Sequence, residues 1–138
     1  MNDAITPENY EKAKRDAKEF YLTIGNVWCP AFKEHITFNS DGFRHLIWRN
    51  ELPRPKKEQL YRFTLLPFAI KILENAKTCQ EYRHIETDSA DLKPNVQFWA
   101  ILGKNQKTSI KIIIRQLGHG RKHFFSIFET KKQKPALL

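Results

Sequence analysis

The sequence predicts an α+β domain whose N-terminal helices pack on one face of a four-stranded antiparallel β-sheet. Two observations predict it. Apolar residues recur at helical spacing as far as residue 77, and from Cys79 the period falls to two over four runs rich in Ile, Phe and Trp. A third observation bears on function. The 138 residues carry 24 Lys and Arg against 15 Asp and Glu, a net charge of +9. A balance this basic favours an anionic partner: nucleic acid, an acidic membrane surface or an acidic protein.

The first helix is "PENYEKAKRDAKEFYL", 7–22. Thr6 can cap it, Pro7 suits its first position, and Glu8 and Glu11 favour its positive end. Tyr10, Ala13, Ala17, Phe20 and Tyr21 share one face at 3–4 spacing. "IGNVWCP" breaks the helix. "HITFN", 35–39, alternates like a short strand with Ile36 and Phe38 on one side. Ser40 or Asp41 can cap the next helix, "DGFRHLIWRN", which "LPRP" ends because two close prolines do not continue a helix. Residues 56–64 and 67–77 read as two further helical pieces, with Pro67 in the first turn of the second and Ile70, Leu73 and Ala76 following. The strands are "EYRHIET", "VQFWAILGK", "SIKIIIRQL" and "KHFFSIFE", the last three joined through "KNQK" and "GHGR" as short hairpin loops. The organisation is an N-terminal helix over 1–26, an α+β domain over 27–130 and a flexible basic tail over 131–138.

Several chemistries lose support. Cys29 and Cys79 form no CxxC pair and read as two reduced thiols. Neither GxxxxGK[ST] nor GxGxxG is present, so no nucleotide cofactor is expected. HExxH is absent, and "HGRKH" spaces His119 and His123 like zinc ligands without a Cys pair to complete them, so no metal is expected. No signal-type run or apolar stretch of about 20 residues occurs, which points away from a membrane and to the cytoplasm, or to delivery into a target cell's cytoplasm within a larger effector.

On a wheel at about 100° per residue, Phe43, Leu46 and Ile47 form the core stripe of the 41–50 helix, with Asn50 beside them. His45, Trp48 and Arg49 lie opposite, with Arg44 at the edge. The alternative is a solvated face with one chance histidine. In the strands, Ile110, Ile112 and Ile114 share one face while Lys111, Ile113 and Arg115 share the other. Phe124, Ser126 and Phe128 alternate with Phe125 and Ile127, and Arg83 with Tyr82 and His84. One sheet face is then greasy and the other carries Lys111, Arg115, Ser126 and Arg83, a set suited to a phosphate and a stacked base. One metal-free chemistry needs only such groups: cleavage of RNA by its own 2′-OH. A histidine moves the proton near neutral pH, and cations and hydroxyls stabilise the phosphorane.

The order "HITFNSDGFRHLIWRN", "RPKKEQLYRFTLLPFAIKIL" and "KHFFSIFE" resembles the phage and mobile-element ribonucleases of the barnase–EndoU–colicin–RelE group, over residues 27–130. The resemblance implies helices on a four-stranded antiparallel sheet, His45 as the catalytic histidine, Ser126 as a hydroxyl on the last strand, and Lys111 or Arg115 as the phosphate-binding cation. It leaves the second proton-transfer group open among His84, His119 and His123. Arg44, Trp48, Arg49, Lys56, Lys57, Arg83 and His123 complete the RNA-contacting set.

The expected function is a metal-independent endoribonuclease of toxin or phage-effector type. Its partners would be RNA, tRNA among the candidates, and an acidic antitoxin or immunity protein. A non-catalytic nucleic-acid-binding or toxin–antitoxin interaction module on the same fold is the alternative.

Overall fold

The computed structural model describes residues 5–85 and 95–130. The tail expected over 131–138 and the end of the "EYRHIET" run lie outside the described residues. Helix α1 (Pro7–Ile24) opens as its sequence requires, Thr6 Oγ1 accepting from the Asn9 N–H at 3.1 Å. Tyr10 and Tyr21 are buried, and Ala13, Ala17 and Phe20 pack against the core. Gly25, at φ 69°, lets the chain turn out of the helix.

Two short strands follow, β1 (Asn26–Cys29) and β2 (Glu34–Thr37). After the helices come β5 (Glu81–Ile85), β6 (Val96–Asn105), β7 (Thr108–Leu117) and β8 (His123–Thr130). These six form one sheet in the order β1-β2-β8-β7-β6-β5. The expected four-stranded antiparallel sheet is therefore corrected to a six-stranded mixed one. β5 to β8 do run antiparallel as expected. The β1–β2 hairpin extends them, with β2 parallel to β8 through Thr37 and His123. "IGNVWCP" reads only as a helix break because Gly25 and Pro30 leave four residues between them. In that space Val27 and Cys29 still alternate as buried residues with exposed Asn26 and Trp28.

Helix α2 (Ser40–Ile47) is capped by Asn39, whose Oδ1 accepts from the Gly42 N–H at 3.1 Å, rather than by Ser40 or Asp41. It ends one residue before Trp48. Trp48 is extended (φ −113°, ψ 142°) and pairs in the small ribbon β3 (Trp48–Arg49) with β4 (Leu52–Pro53). The wheel that set Trp48 free is thus corrected, for its ring packs against the core. Asn50 is exposed at φ 58° rather than joining the core stripe.

Residues 56–64 and 67–77, expected as two pieces, form a single helix α3 (Lys56–Asn75) with Pro67 inside it. Pro67 is exposed. Buried Phe63, Leu65 and Leu66 on one side and Ala69 and Leu73 on the other anchor the helix across the N–H that proline lacks. That apolar face covers Ile101, Ile110, Ile112, Ile114, Phe124 and Ile127, all fully buried.

One irregularity decides which way β8 points. Ile113 pairs with Ser126 but Ile114 pairs with Phe124, so Phe125 is the extra residue of a β-bulge. Phe124 and Ile127 therefore enter the core, while Ser126 stands on the outer face in the cross-strand row of Ile113. Strict alternation, which groups Phe124 with Ser126 and Phe128, fails at this one position.

Candidate functional site

The site begins with how closely α2 lies on β8. The Tyr21 hydroxyl donates to the Asn39 carbonyl at 2.6 Å and fixes the helix start. Gly42 touches β8 directly: a Cβ there would stand 2.5 Å from the Phe124 carbonyl oxygen. One turn later this close seat brings His45 onto the bulge residue, with ring centroids of His45 and Phe125 3.8 Å apart. Arg115, reaching out from β7, sets its guanidinium 4.5 Å from the centroid of the same Phe125 ring. His45 and Arg115, seventy positions apart in the sequence, meet on one phenylalanine.

Arg115 is held from two further sides. Its Nη2 donates to Asp41 Oδ2 at 3.1 Å, and its Nε donates to His123 Nε2 at 2.8 Å. Nε2 of His123 must then carry a lone pair. Buried His123 is a neutral acceptor with its proton on Nδ1, 3.5 Å from the Arg121 carbonyl. Burial, then the charge of Arg115, pull its pKa down and keep it so. His123, expected among the RNA contacts and as a candidate second acid or base, holds Arg115 through this bond.

His45 is also neutral at pH 7. Burial and the positive charges of Arg115 and Arg54 lower its pKa from 6.5 to about 4. A histidine whose folded pKa lies below its unfolded value contributes stability above pH 6.5 and loses it as the pH falls to about 4. Each pH unit is worth about 1.4 kcal/mol, and solvent screening at a half-buried ring reduces it, so a loss of about 1–2 kcal/mol is expected. Urea unfolding at pH 7 and pH 4 checks this. The wild type should lose clearly more stability over that interval than His45→Gln, and equal losses would show that His45 does not titrate low.

Beyond Phe125 the outer face of β5–β8 forms a hollow of about 720 Å³. Lys111, Arg83 and Ser126 all line it, so the structure gathers the expected cations and hydroxyl along one surface next to His45 and Arg115. Lys111 is paired with Glu81 at 2.5 Å. Ser126 Oγ accepts from Arg62 Nη1 at 3.0 Å. The remaining candidates are more scattered. Arg44 lies over the Trp48 ring at 5.4 Å, and Lys56 over Tyr10 of α1 at 4.8 Å, drawn away from the hollow. Lys57 is exposed in the first turn of α3. Arg49 is exposed and near enough to Arg62 for its charge to help lower the pKa of that guanidinium.

Arg54 and Arg62 were not among the candidates. Glu58 Oε2 binds both, at 3.0 and 2.9 Å. Arg54 Nε donates to the His45 carbonyl at 2.9 Å, tying the end of α2 to α3, and Arg62 closes over β8 at Ser126 and the Ile127 carbonyl. Their signal in the sequence is the Arg-Glu-Arg spacing of four, which ordinarily marks a solvated helix face. Among the described residues no three His, Cys, Asp or Glu side chains gather as metal ligands, and no described helix is long and apolar enough to cross a membrane.

A family model described as large polyvalent protein-associated domain 3 matches residues 8–124, which run from α1 into β8. No curated protein and no solved structure matches the chain.

Proposed function

Taking as premise that the chain belongs to the large polyvalent protein-associated domain 3 family, we propose that it is a metal-independent endoribonuclease of phage or mobile-element effector type. The observation that carries this reading is the meeting of neutral His45 and cationic Arg115 on Phe125. His45 takes the proton of a ribose 2′-OH as its oxygen attacks the adjacent phosphorus. The bond from phosphorus to the 5′-oxygen breaks, and that oxygen takes a proton from solvent. Arg115, pre-oriented by His123 and Asp41, stabilises the charge on the phosphorane. A phosphate bound there offsets the charges that hold the pKa of His45 down, raising its basicity when substrate is present. An acidic antitoxin or immunity protein fits the same basic surface.

The test is incubation with total RNA and purified tRNA in EDTA. The wild type should cut, and the absence of any cut product would end the enzymatic reading. A second reading, non-catalytic RNA binding, draws on the acid side of the chemistry: His123 spends its lone pair on Arg115 and Ser126 Oγ is engaged by Arg62. It predicts RNA affinity that falls steeply with salt and no cleavage products.

A further inference from the structure

We propose that the hollow on the outer face of β5–β8 is a site for unpaired bases of single-stranded RNA, which stack between the Phe98–Phe125 pair and Phe128. This rests on the RNA part of the preceding reading and not on cleavage.

Three cross-strand rows build the hollow. Phe98 pairs with Arg115 in the first, Ala100 with Ile113 and Ser126 in the second, and Leu102 with Lys111 and Phe128 in the third. The middle row carries the small residues Ala100 and Ser126 on either side of Ile113, so the sheet sinks there between aromatic walls. Residues two apart along a strand lie about 7 Å apart, twice the ~3.4 Å stacking rise of bases along a strand. The first and third rows, four residues apart, stand about 14 Å apart and leave room for a short stack of planar bases between them.

The walls are already in place. Phe125 is fixed by Phe98 at 5.3 Å and by His45 and Arg115, and Phe128 by Arg62 at 5.4 Å. Little ordering remains for a ligand to bring about. At the floor, Ser126 Oγ accepts from Arg62 and keeps its own proton for an acceptor on the base edge. Arg83 at the rim and Lys111 on the wall supply charge for the flanking phosphates. The Glu81 that pairs Lys111 is exposed, so solvent screens the pair and a phosphate can compete with it. In a duplex the bases are stacked inside the helix and cannot enter such a slot, whereas a single strand offers them freely.

The experiment is fluorescence anisotropy with a labelled, unstructured 2′-O-methyl RNA decamer and with its duplex. This probe lacks the 2′-OH and cannot be cut by 2′-OH attack. The wild type should bind the single strand more tightly than the duplex, and Phe98→Ala and Phe128→Ala should each weaken single-strand binding about 10-fold. Ala100→Leu, which fills the slot from its floor and leaves both walls intact, should weaken it as well. Equal or tighter duplex binding overturns the proposal. So does single-strand affinity within about twofold of wild type in folded Phe98→Ala or Ala100→Leu protein, where stacking predicts a tenfold loss. A protein that binds the decamer as described but leaves ordinary RNA intact would sink the ribonuclease reading alone.

Discussion

Replacing His45 with alanine is expected to lower the rate of RNA cleavage in EDTA by on the order of 10²–10⁴-fold, the range for loss of a positioned general base. His45→Gln keeps most of the side-chain volume against Phe125 without a group that accepts the proton as imidazole does. It should be impaired to a similar degree. Both variants should melt near the wild type at pH 7, because Phe43, Leu46 and Ile47 and not His45 anchor α2 in the core. The pH profile gives an independent check. A general base works when neutral, so kcat/KM of the wild type should hold its value well below pH 6.5, as a histidine lowered to about 4 implies. Full activity in the His45→Ala protein would remove His45 from the chemistry.

The second large effect is expected at Gly42. Glycine in a helix is unfavourable by about 1 kcal/mol against alanine, so on propensity alone Gly42→Ala should stabilise the protein. The packing says the reverse. The new Cβ would lie 2.5 Å from the Phe124 carbonyl oxygen and 2.7 Å from its ring, and against the Tyr21 hydroxyl. Phe124 is fully buried beside the bulge, so the strand cannot give and α2 must lift. Overpacking of this kind costs about 1–3 kcal/mol, more than the propensity gain at its upper end, and Gly42→Val, with no such gain, should lose more still. Lifting α2 also carries His45 off Phe125. Cleavage by the folded fraction should therefore fall with stability, as urea melts and assays on the same samples would show. A Gly42→Ala protein more stable than wild type would mean that α2 does not lie this close to β8.

Much of this arrangement is legible in the sequence. The Thr6–Pro7 start of α1, the stripe of Phe43, Leu46 and Ile47, and the alternation of Ile110, Ile112 and Ile114 each express one period and one buried face. The structure agrees with all three. What is not legible depends on partners distant in the chain. Four residues at 26–29 are too few to show a period, and become a strand only because β2 is there to pair with them. Pro67 signals an interruption, yet the packing of α3 on the sheet overrides it. The bulge at Phe125 leaves no mark in the composition of "HFFSIF", although it decides that Ser126 faces out and that Phe125 lies under both His45 and Arg115.

The candidate site divides in the same way. His45, Arg115, Lys111, Arg83 and Ser126 can be named from face and residue type, and the structure sets all five along the surface that meets at Phe125. The roles of the groups behind them cannot. His123 has the appearance of a second acid or base until its lone pair is found on Arg115, and Arg62 that of a solvated arginine until it is found closing over Ser126. Both act through hydrogen bonds between elements far apart in the chain, which no local pattern encodes.

The measurement that bears most directly on the proposed chemistry is the structure of the ends left on cut RNA, read by mass spectrometry after digestion in EDTA. Attack by the 2′-oxygen requires a 2′,3′-cyclic phosphate, or the 3′-phosphate it hydrolyses to, on one fragment and a 5′-hydroxyl on the other. Fragments bearing 5′-phosphate and 3′-hydroxyl ends, or RNA left whole, would contradict it.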